Sequence, residues 1–391
     1  MAPPIQTDAL VVGGGVAGLF TLAALRAAGH GALLLERMAL GTGQTTSSQG
    51  ILHAGVKYSL GGVAGDDAKE ASEAAALWTG MMDGGQGPDL RGLRVLAREE
   101  FLWRTAGLRG AAGMLGAKLA LRTRPEALEK SQQPAWLAGV SGEVLRLAET
   151  VIDPRDLLER LAGAQAGCVA LGQVQRLEVR GERAQATVTV GGAALEVQAR
   201  RVYLCAGQGN EALLAMAGLG SHEPMQRRPL RQAMVRGPLP LAFGHCIDGA
   251  RTRVTITSDT DGPRVVWHVG GELAERGLEV DVPTFLRKAK EELQACLPGA
   301  DLRDAEWSSY DVDRAEPRTA QGRRPAHAHV RVHGPVVALW PVKLVLAPRA
   351  AQRAVEAAGA PAFPQARWPA GTPVPCAAPR PWESATWSRL P

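Results

Sequence analysis

The sequence has no cysteine pair with metal-ligand spacing, no signal-peptide pattern and no long apolar run. Its five cysteines are an odd number without a CxxC pair, which indicates neither a disulfide framework nor a zinc site, so we predict no metal centre. The first residues lack a basic region followed by an apolar one, and no run of about 18 apolar residues follows. These absences predict a cytoplasmic protein with at most peripheral membrane contact.

Clustered positive charge is also absent, although the chain is basic overall. The net charge is +5, but arginine is spread along the 391 residues without a basic block. Hydrophobic residues make up 46% of the chain, which is enough for a large core and two domains. We therefore predict a globular protein without a nucleic-acid partner, whose charge favours anionic small-molecule substrates.

A glycine-rich turn follows the first apolar run. Residues 7–12 are typical of a buried strand, and an alanine- and leucine-rich stretch to Ala28 has helical spacing. Between them Gly13 allows a tight turn, Gly15 lets backbone approach a pyrophosphate, and Gly18 lets the helix pack on the strand. The pattern predicts a dinucleotide cradle formed by Gly13, Gly15, Val16, Ala17 and Gly18.

A second strand, residues 32–35, ends at Glu36 and Arg37. A carboxylate at this point of a βαβ unit accepts hydrogen bonds from ribose hydroxyls and repels a 2′-phosphate, which disfavours NADP. We predict that Glu36 and Arg37 contact the cofactor. An ordinary βαβ unit with a solvated glutamate is the alternative.

A long polar segment, residues 41–50, stands where a simple NAD domain would enter its next helix. Such a segment can line the pyrophosphate and ribityl chain of FAD and then pass under the isoalloxazine ring. The alternative, a surface loop, fits poorly with the apolar residues and His53 that follow. The predicted FAD contacts here are Thr45, Thr46, Ser47, Ser48, Gln49 and Gly50.

This segment resembles the flavin-contacting segment of the D-amino-acid oxidase superfamily, which includes glycine oxidase and glycerol-3-phosphate dehydrogenase. Residues 51–58, Ile-Leu-His-Ala-Gly-Val-Lys-Tyr, are most similar to its L-2-hydroxyglutarate dehydrogenase/oxidase branch. The resemblance implies FAD as cofactor and an α/β fold: a Rossmann-like FAD-binding domain with an α+β substrate domain built on an antiparallel sheet. The implied FAD-binding domain is 1–75, 145–215 and 311–391, and the substrate-binding domain is 76–144 and 216–310.

Later segments resemble the superfamily's other cofactor contacts: the backbone at Val174 for adenine, the small residues Ala206 and Gly207, and the turn Val342, Lys343 and Leu344 before a last helix over 345–358. Many relatives have glycines where Pro341-Val342-Lys343 stands here. Lys343 is either a positive charge at the flavin edge, where reduction develops negative charge, or a solvent-exposed lysine.

His53 is the first candidate for the catalytic base or a substrate hydrogen-bonding group, because histidine titrates near neutral pH. In dimethylglycine and sarcosine dehydrogenase relatives a histidine in a similar context is bonded covalently to the flavin, so a covalent tether is one alternative role for His53, and simple packing under the flavin ring is the other.

A substrate carboxylate needs a planar cationic partner, and arginine supplies one. We predict Arg314 for this role, with Arg253 and Arg318 as second choices. Further pocket candidates are Tyr58, His268, Tyr310 and Trp103.

The implied function is oxidation of a small 2-hydroxy acid, L-2-hydroxyglutarate-like, by hydride transfer from its C–H to flavin N5. The alternative is an amine or amino-acid oxidase of the glycine or sarcosine oxidase kind, and a third hypothesis is a flavin-binding protein acting in RNA modification or as a partner-binding subunit. The electron acceptor, whether oxygen, quinone or protein, is left open. So is the role of residues 108–121, either a helix packed on the substrate domain or an interfacial membrane helix.

Overall fold

The computed structural model describes residues 3–53, 66–105, 125–249 and 251–391. Tyr58 and the predicted helix over 108–121 lie outside these residues. Seven α-helices occur in the described part: α1 Val16–Ala27, α2 Asp66–Met82, α3 Pro154–Gly163, α4 Asn210–Met216, α5 Glu272–Glu275, α6 Val282–Cys296 and α7 Ala347–Glu356.

The β-strands of the described part form three sheets. In chain order they are β1 Ile5–Val12, β2 Ala32–Glu36, β3 Ile51–Leu52, β4 Val95–Ala97, β5 Glu100–Arg104, β6 Glu126–Ala127, β7 Val144–Leu147, β8 Thr150–Ile152, β9 Val169–Arg180, β10 Arg183–Val190, β11 Ala193–Leu204, β12 Met225–Gly237, β13 Gly244–Asp248, β14 Arg251–Asp261, β15 Arg264–Gly270, β16 Glu306–Pro317, β17 His329–His333, β18 Val336–Trp340 and β19 Ser388–Arg389.

The first sheet has seven strands in the order β1-β2-β9-β10-β11-β18-β17, and β1 also pairs with β11. Strand β1 runs parallel to β2 and β11, and β11 runs parallel to β18. Helices α1 and α7 pack on this parallel part through an apolar core that includes Leu22, Leu34 and Ala350. A strand followed by a crossover helix and a parallel strand is the arrangement that places a glycine turn at a sheet edge.

The second sheet has nine strands in the order β19-β16-β12-β15-β14-β13-β5-β7-β6 and is antiparallel except where β13 pairs with β5. Helix α6 covers one face of it, because its apolar stripe, which includes Phe285 and Leu293, packs in the same core as Trp267. The predicted α/β class with a second, antiparallel sheet is confirmed. The predicted domain boundary at residue 311 falls inside β16, and residues 311–317 hydrogen-bond along the nine-stranded sheet.

Trp103 lies in this second core rather than near the predicted pocket. Its side chain is fully buried, its ring packs edge-to-face on Trp136, and its indole N–H donates to the carbonyl of Cys296 at 2.9 Å. The expectation that Trp103 approaches the active site is therefore wrong, because a tryptophan on this face of β5 meets the end of α6.

A small third sheet, β3-β8-β4, brings distant parts of the chain together. Strands β3 and β8 are antiparallel, with Ile51 opposite Val151 and Leu52 opposite Thr150. The next pair outward in this register is His53 and Glu149. Two residues nearly a hundred positions apart are thereby placed side by side.

Two aspartates cap helices, and the C-terminal tail packs on the surface of the molecule. Asp153 caps α3 by accepting hydrogen bonds from the amides of Arg155 and Asp156, and Asp281 caps α6. The proline-rich tail from Gly359 packs on the surface, with Trp368 buried and its indole N–H donating to the carbonyl of Leu34. Among the helices of the described residues, none has the length and apolar character that crossing a membrane needs.

Candidate active site

The glycine turn between β1 and α1 has no room for side chains at two positions. A Cβ on Gly13, whose φ is +111°, would lie 2.6 Å from the carbonyl oxygen of Cys205, and a Cβ on Gly18 would lie 1.8 Å from that of Gly13. Close strand–helix packing requires both glycines. Gly15 is the N-cap of α1 and has no side chain with which to cap the helix. With no acidic residue in its first turn, this helix N-terminus fits a phosphate group.

Glu36 stands beside this turn at the end of β2 and is not simply solvated. Its carboxylate accepts hydrogen bonds from the amides of Gly14 at 2.6 Å and Met38 at 2.8 Å. These contacts fix a carboxylate next to the cradle, where it can meet a ribose. Arg37, the next residue, is exposed.

The polar segment 41–50 is folded against the rest of the molecule. Thr45 and Thr46 are buried, and the hydroxyl of Thr45 accepts a hydrogen bond from the amide of Val16. Gln49 donates through Nε2 to the carbonyls of Thr255 and His268 at 3.1 and 3.0 Å. The surface-loop alternative is therefore wrong, since the segment connects the cradle to the nine-stranded sheet.

The turn after β11 meets the glycine turn directly. A Cβ on Gly13 would lie 2.7 Å from the Cα of Ala206. The amide of Ala206 donates to the side chain of buried Asn210, and Gly207 has φ +56°. Val174 is buried on β9, next to the same sheet core. The small residues Ala206 and Gly207 thus border the cradle.

The turn at Val342 keeps a glycine-like backbone without a glycine. Val342 has φ +65°, and within the described residues no other non-glycine residue has a positive φ. Lys343 is only 8% exposed, so the solvent-exposed alternative is wrong. Leu344 begins a short 3₁₀ turn that leads into α7. A β-branched residue in this conformation is strained, a situation typical of functional turns.

His53 pairs with a buried carboxylate. Its Nδ1 lies 3.1 Å from Oε2 of Glu149, with the His53 side chain 17% exposed and that of Glu149 1% exposed. The imidazole of His53 is therefore partly exposed, and one of its nitrogens is within hydrogen-bond distance of Glu149. A side chain that only packs does not need such a contact.

A second histidine and glutamate face this pair from the nine-stranded sheet. His245, on β13, lies with its ring 5.5 Å from that of His53, and its Nε2 is 3.6 Å from Oε2 of Glu100. Its Nδ1 is 2.8 Å from the hydroxyl of Thr255, directly opposite in the β13–β14 register. One donor atom from each of His53, Glu100, Glu149 and His245 lies within 4.8 Å of the others. This junction cluster of two imidazoles and two carboxylates can hold protons, and its donor set also suits a divalent metal.

Tyr310 on β16 and His268 on β15, two strands that flank β12 in the nine-stranded sheet, contact each other. The Tyr310 hydroxyl donates to the carbonyl of Ser47 at 3.0 Å and lies 2.7 Å from the side chain of Gln232 and 3.2 Å from Nδ1 of His268. Burial lowers the pKa of His268 to about 4 and raises the pKa of Tyr310. Both side chains are therefore neutral hydrogen-bonding groups at neutral pH.

The three candidate arginines have different surroundings. Arg314, on the same strand as Tyr310, donates through Nε to the carbonyl of Arg228 and through Nη1 to Glu275 at 3.3 Å. Burial, together with neighbouring Arg228, lowers the pKa of Arg314. Arg253 instead holds both carboxylate oxygens of Glu292 on α6, at 2.7 and 2.9 Å, and Arg318 is exposed.

Sequence reasoning missed Glu149, Glu100 and His245. None of the three stands in a local motif. The one hint was Glu149, a charged residue between the apolar pairs Leu147-Ala148 and Val151-Ile152, which indicates a partner. Their partners lie on other strands, so spacing along the chain could not reveal them.

Comparison with known proteins identifies the family to which this architecture belongs. Residues 8–346 match the family model DAO, FAD dependent oxidoreductase. The probable FAD-dependent oxidoreductase PA4991 of Pseudomonas aeruginosa is 38% identical over 360 residues, covering 90% of this chain and 91% of that protein. The crystal structure of PA4991 is similar with a TM-score of 0.81 and 34% identity, covering 98% and 99% of the two chains.

More distant solved structures share the fold. L-alpha-glycerophosphate oxidase of Mycoplasma pneumoniae, crystallised with FAD bound, has a TM-score of 0.68 at 16% identity, covering 93% of this chain and 97% of the other. Glycine oxidase of Geobacillus kaustophilus has a TM-score of 0.65 at 18% identity, covering 90% and 95%. The cradle, the two sheets and the family match together identify the chain as a member of the DAO family of FAD-dependent oxidoreductases, an enzyme whose cofactor is FAD.

Proposed function

We propose that this enzyme oxidises a small 2-hydroxy acid, of the L-2-hydroxyglutarate type, to the 2-oxo acid. The contact between His53 and buried Glu149 carries the proposal. With the carboxylate against Nδ1, Nε2 is the ring nitrogen that takes a proton, and oxidation of an alcohol needs such a base. The resemblance of residues 51–58 to the L-2-hydroxyglutarate branch supports the same substrate class.

In this proposal the substrate loses one hydride and one proton. Bound FAD would supply the acceptor for the hydride of the substrate C–H. His53 takes the hydroxyl proton, and the negative charge of Glu149 stabilises the imidazolium that forms. The overlying strands β13 to β16 would keep water away from the reacting atoms.

FAD would be held by residues that border the cradle. The pyrophosphate would lie on the amides at the N-terminus of α1, a position that a side chain on Gly15 would fill. The ribose would meet Glu36, and the ring would lie along the polar segment toward His53. The proposed contacts are Gly13, Gly15, Val16, Ala17, Gly18, Glu36, Arg37, Thr45, Thr46, Ser47, Ser48, Gln49, Gly50, Val174, Ala206, Gly207, Val342, Lys343 and Leu344.

Arg314 is the proposed partner of the substrate carboxylate, and Tyr310, on the same strand, is a further proposed pocket residue. Arg314 contacts Glu275, a largely exposed residue at 3.3 Å, so a substrate carboxylate can compete for the same guanidinium. Arg253 is a weaker choice, because Glu292 already occupies it in bidentate fashion.

The alternative substrate is an amine or amino acid, with the same base taking the proton from nitrogen. An anaerobic titration followed by the visible flavin spectrum separates the two. We expect 2-hydroxy acids to bleach the flavin, and ammonia released from amino acids or reduction by N-methylated amines would favour the alternative. Readmitting air then tests whether oxygen is the electron acceptor. A flavin that no hydroxy acid reduces would contradict the proposal.

A denaturation test distinguishes the base from the covalent tether. If His53 is a base, acid precipitation of the holoenzyme releases all its flavin into the supernatant. Flavin that stays with the precipitate, and is released when His53 is replaced by asparagine, would show that His53 is a tether.

A further inference from the structure

The least expected feature of the junction is that Glu149 is almost fully buried and still contacts an ionisable side chain. Its side chain is 1% exposed, and its Oε2 lies 3.1 Å from Nδ1 of His53. Burying a carboxylate is costly unless hydrogen bonds and positive charge offset the lost hydration. A glutamate at this place therefore needs a reason beyond packing.

We propose that Glu149 is the positioning residue of His53: it holds the imidazole in the tautomer with the proton on Nδ1 and so makes Nε2 the basic nitrogen. The inference rests on the proposed function, in which His53 takes the substrate proton. An ionised carboxylate only accepts hydrogen bonds, so the nitrogen facing it carries the proton. The other nitrogen then has a lone pair to accept one.

The backbone fixes this contact. His53 and Glu149 directly follow and precede the paired residues Leu52 and Thr150 of the β3–β8 ladder. Because cross-strand neighbours on one face of a sheet are about 5 Å apart, the register holds the carboxylate beside the ring before any substrate arrives. Preorganisation of this kind is what a base needs to act without rearranging.

The second histidine of the junction cluster, His245, has a hydroxyl rather than a carboxylate at its Nδ1. Nδ1 of His245 lies 2.8 Å from the neutral hydroxyl of Thr255, and Glu100 is 3.6 Å from its Nε2, beyond hydrogen-bond distance. The same pair of residue types thus produces one close imidazole–carboxylate contact and one loose one. Of these two contacts, the one between His53 and Glu149 is within hydrogen-bond distance.

The tautomer can be measured without any substrate. In holoenzyme labelled with ¹⁵N-histidine, protonated and unprotonated ring nitrogens give separate signals, and His53→Asn identifies the pair that belongs to His53 among the eight histidines. We expect Nδ1 protonated and Nε2 unprotonated in the wild type, and loss of this preference in Glu149→Gln. A wild-type His53 protonated on Nε2 would overturn the proposal, and the wild-type spectrum does not depend on whether Glu149→Gln folds.

The kinetic test compares three variants with a 2-hydroxy acid that reduces the wild-type flavin. Glu149→Gln should slow flavin reduction by about 100-fold, the range of a general base, at unchanged FAD affinity. Glu149→Asp, which keeps the charge, should recover at least part of that loss. Equal rates in the Gln and Asp variants would contradict a role for the carboxylate.

Glu223→Gln is the matched control. Glu223 is also a buried glutamate that contacts imidazoles. It lies 2.8 Å from His329 and 2.9 Å from His333, and both histidines belong to the edge strand β17. We expect it to lose stability while the rate of flavin reduction stays unchanged. If Glu223→Gln lost as much rate as Glu149→Gln, the slower flavin reduction in both variants would be explained by lost stability and not by the position of His53.

Metal analysis of the dialysed holoenzyme closes the test, because a metal ion on Nδ1 would replace the proton. We expect less than one metal ion per ten chains and an unchanged ¹⁵N spectrum after chelation. A stoichiometric metal lost together with the His53 signals would overturn the tautomer assignment. Failure of every hydroxy acid to reduce the flavin would instead refute the proposed function and leave the tautomer result standing.

Discussion

The glycine cradle and the junction cluster lie at opposite ends of the polar segment and are built in opposite ways. The cradle consists of neighbouring residues between β1 and α1, and its shape depends on missing side chains. The cluster combines residues from four separate strand ends or loops, and its properties depend on side chains whose charges are buried. The cradle is a local backbone structure, whereas the cluster exists only in the folded chain.

This difference predicts different consequences of substitution. A side chain added in the cradle acts through steric exclusion and removes binding altogether. A side chain changed in the cluster alters electrostatics and leaves the backbone in place. Binding and chemistry should therefore be separable by mutation.

The largest effect is expected for Gly15→Leu. The added side chain would fill the space in front of the α1 amides, and we expect no FAD in the purified protein or after reconstitution. Flavin absorbance per chain measures this directly. Gly80→Leu, in α2 where a Cβ meets no atom within 4 Å, should retain full FAD. A yellow, fully loaded Gly15→Leu protein would refute the cradle.

His53→Asn should break the chemistry and keep the cofactor. We expect the rate of flavin reduction to fall by about 10²- to 10⁴-fold, because general-base catalysis is lost. The FAD content should match that of the wild type. His329→Asn, remote from the cluster, serves as the control, and an unchanged kcat in His53→Asn would remove His53 from the reaction.

Asp153→Asn tests a second buried cluster whose role is structural. Asp153, 1% exposed, pairs with Arg94 and Arg380, and the latter ties the C-terminal tail to α3. Removing one partner of a buried pair should lower the free energy of unfolding by about 3 kcal/mol. Denaturant unfolding measures it, and Asp301→Asn, in an exposed pair, should leave stability unchanged.

The same variant has a predictable pH dependence. Burial alone would raise the pKa of Asp153, but hydrogen bonds from Arg380 and Arg94 outweigh it and the pKa is lowered. A lowered native pKa stabilises the fold above the ordinary value, near pH 4, and this stabilisation disappears as the pH falls through the native pKa. The difference between wild type and Asp153→Asn should therefore shrink below about pH 4. A constant difference would contradict the ionic role.

The smallest effect is expected for Val342→Gly. The strain of a positive φ at valine, on the order of 1 to 3 kcal/mol, would be relieved, while glycine costs roughly 0.5 to 1 kcal/mol in backbone entropy. We expect a gain of about 1 kcal/mol, seen as a higher Tm. Val330→Gly, which has no positive φ to relieve, should lose stability. A loss in both would show that the Val342 turn is unstrained.

The cradle, the helices around it and the FAD assignment were readable from the sequence because each depends on residues close together in the chain. Gly13, Gly15 and Gly18 need only the turn between β1 and α1 to acquire their roles. The helix caps at Asp153 and Asp281 likewise depend on contacts with residues two or three positions further along the chain.

The surroundings of the arginines and of Lys343 could not be read in this way. Arg253 and Arg314 are both strand residues with similar local sequence character, yet one faces Glu292 on α6 and the other faces Glu275 on α5. Which partner an arginine meets depends on how helices cover the sheet.

The sequence by itself determined the family, the cofactor and the local geometry of the cradle, because a glycine pattern and helical or strand periodicity act over a few residues. Tertiary structure alone decided that Glu149 faces His53, and that Glu100 and His245 complete the junction cluster. The physical reason is strand pairing: the β3–β8 register joins residues about 100 positions apart and the β5–β13 pairing joins residues 143 positions apart, and no local pattern encodes those partners.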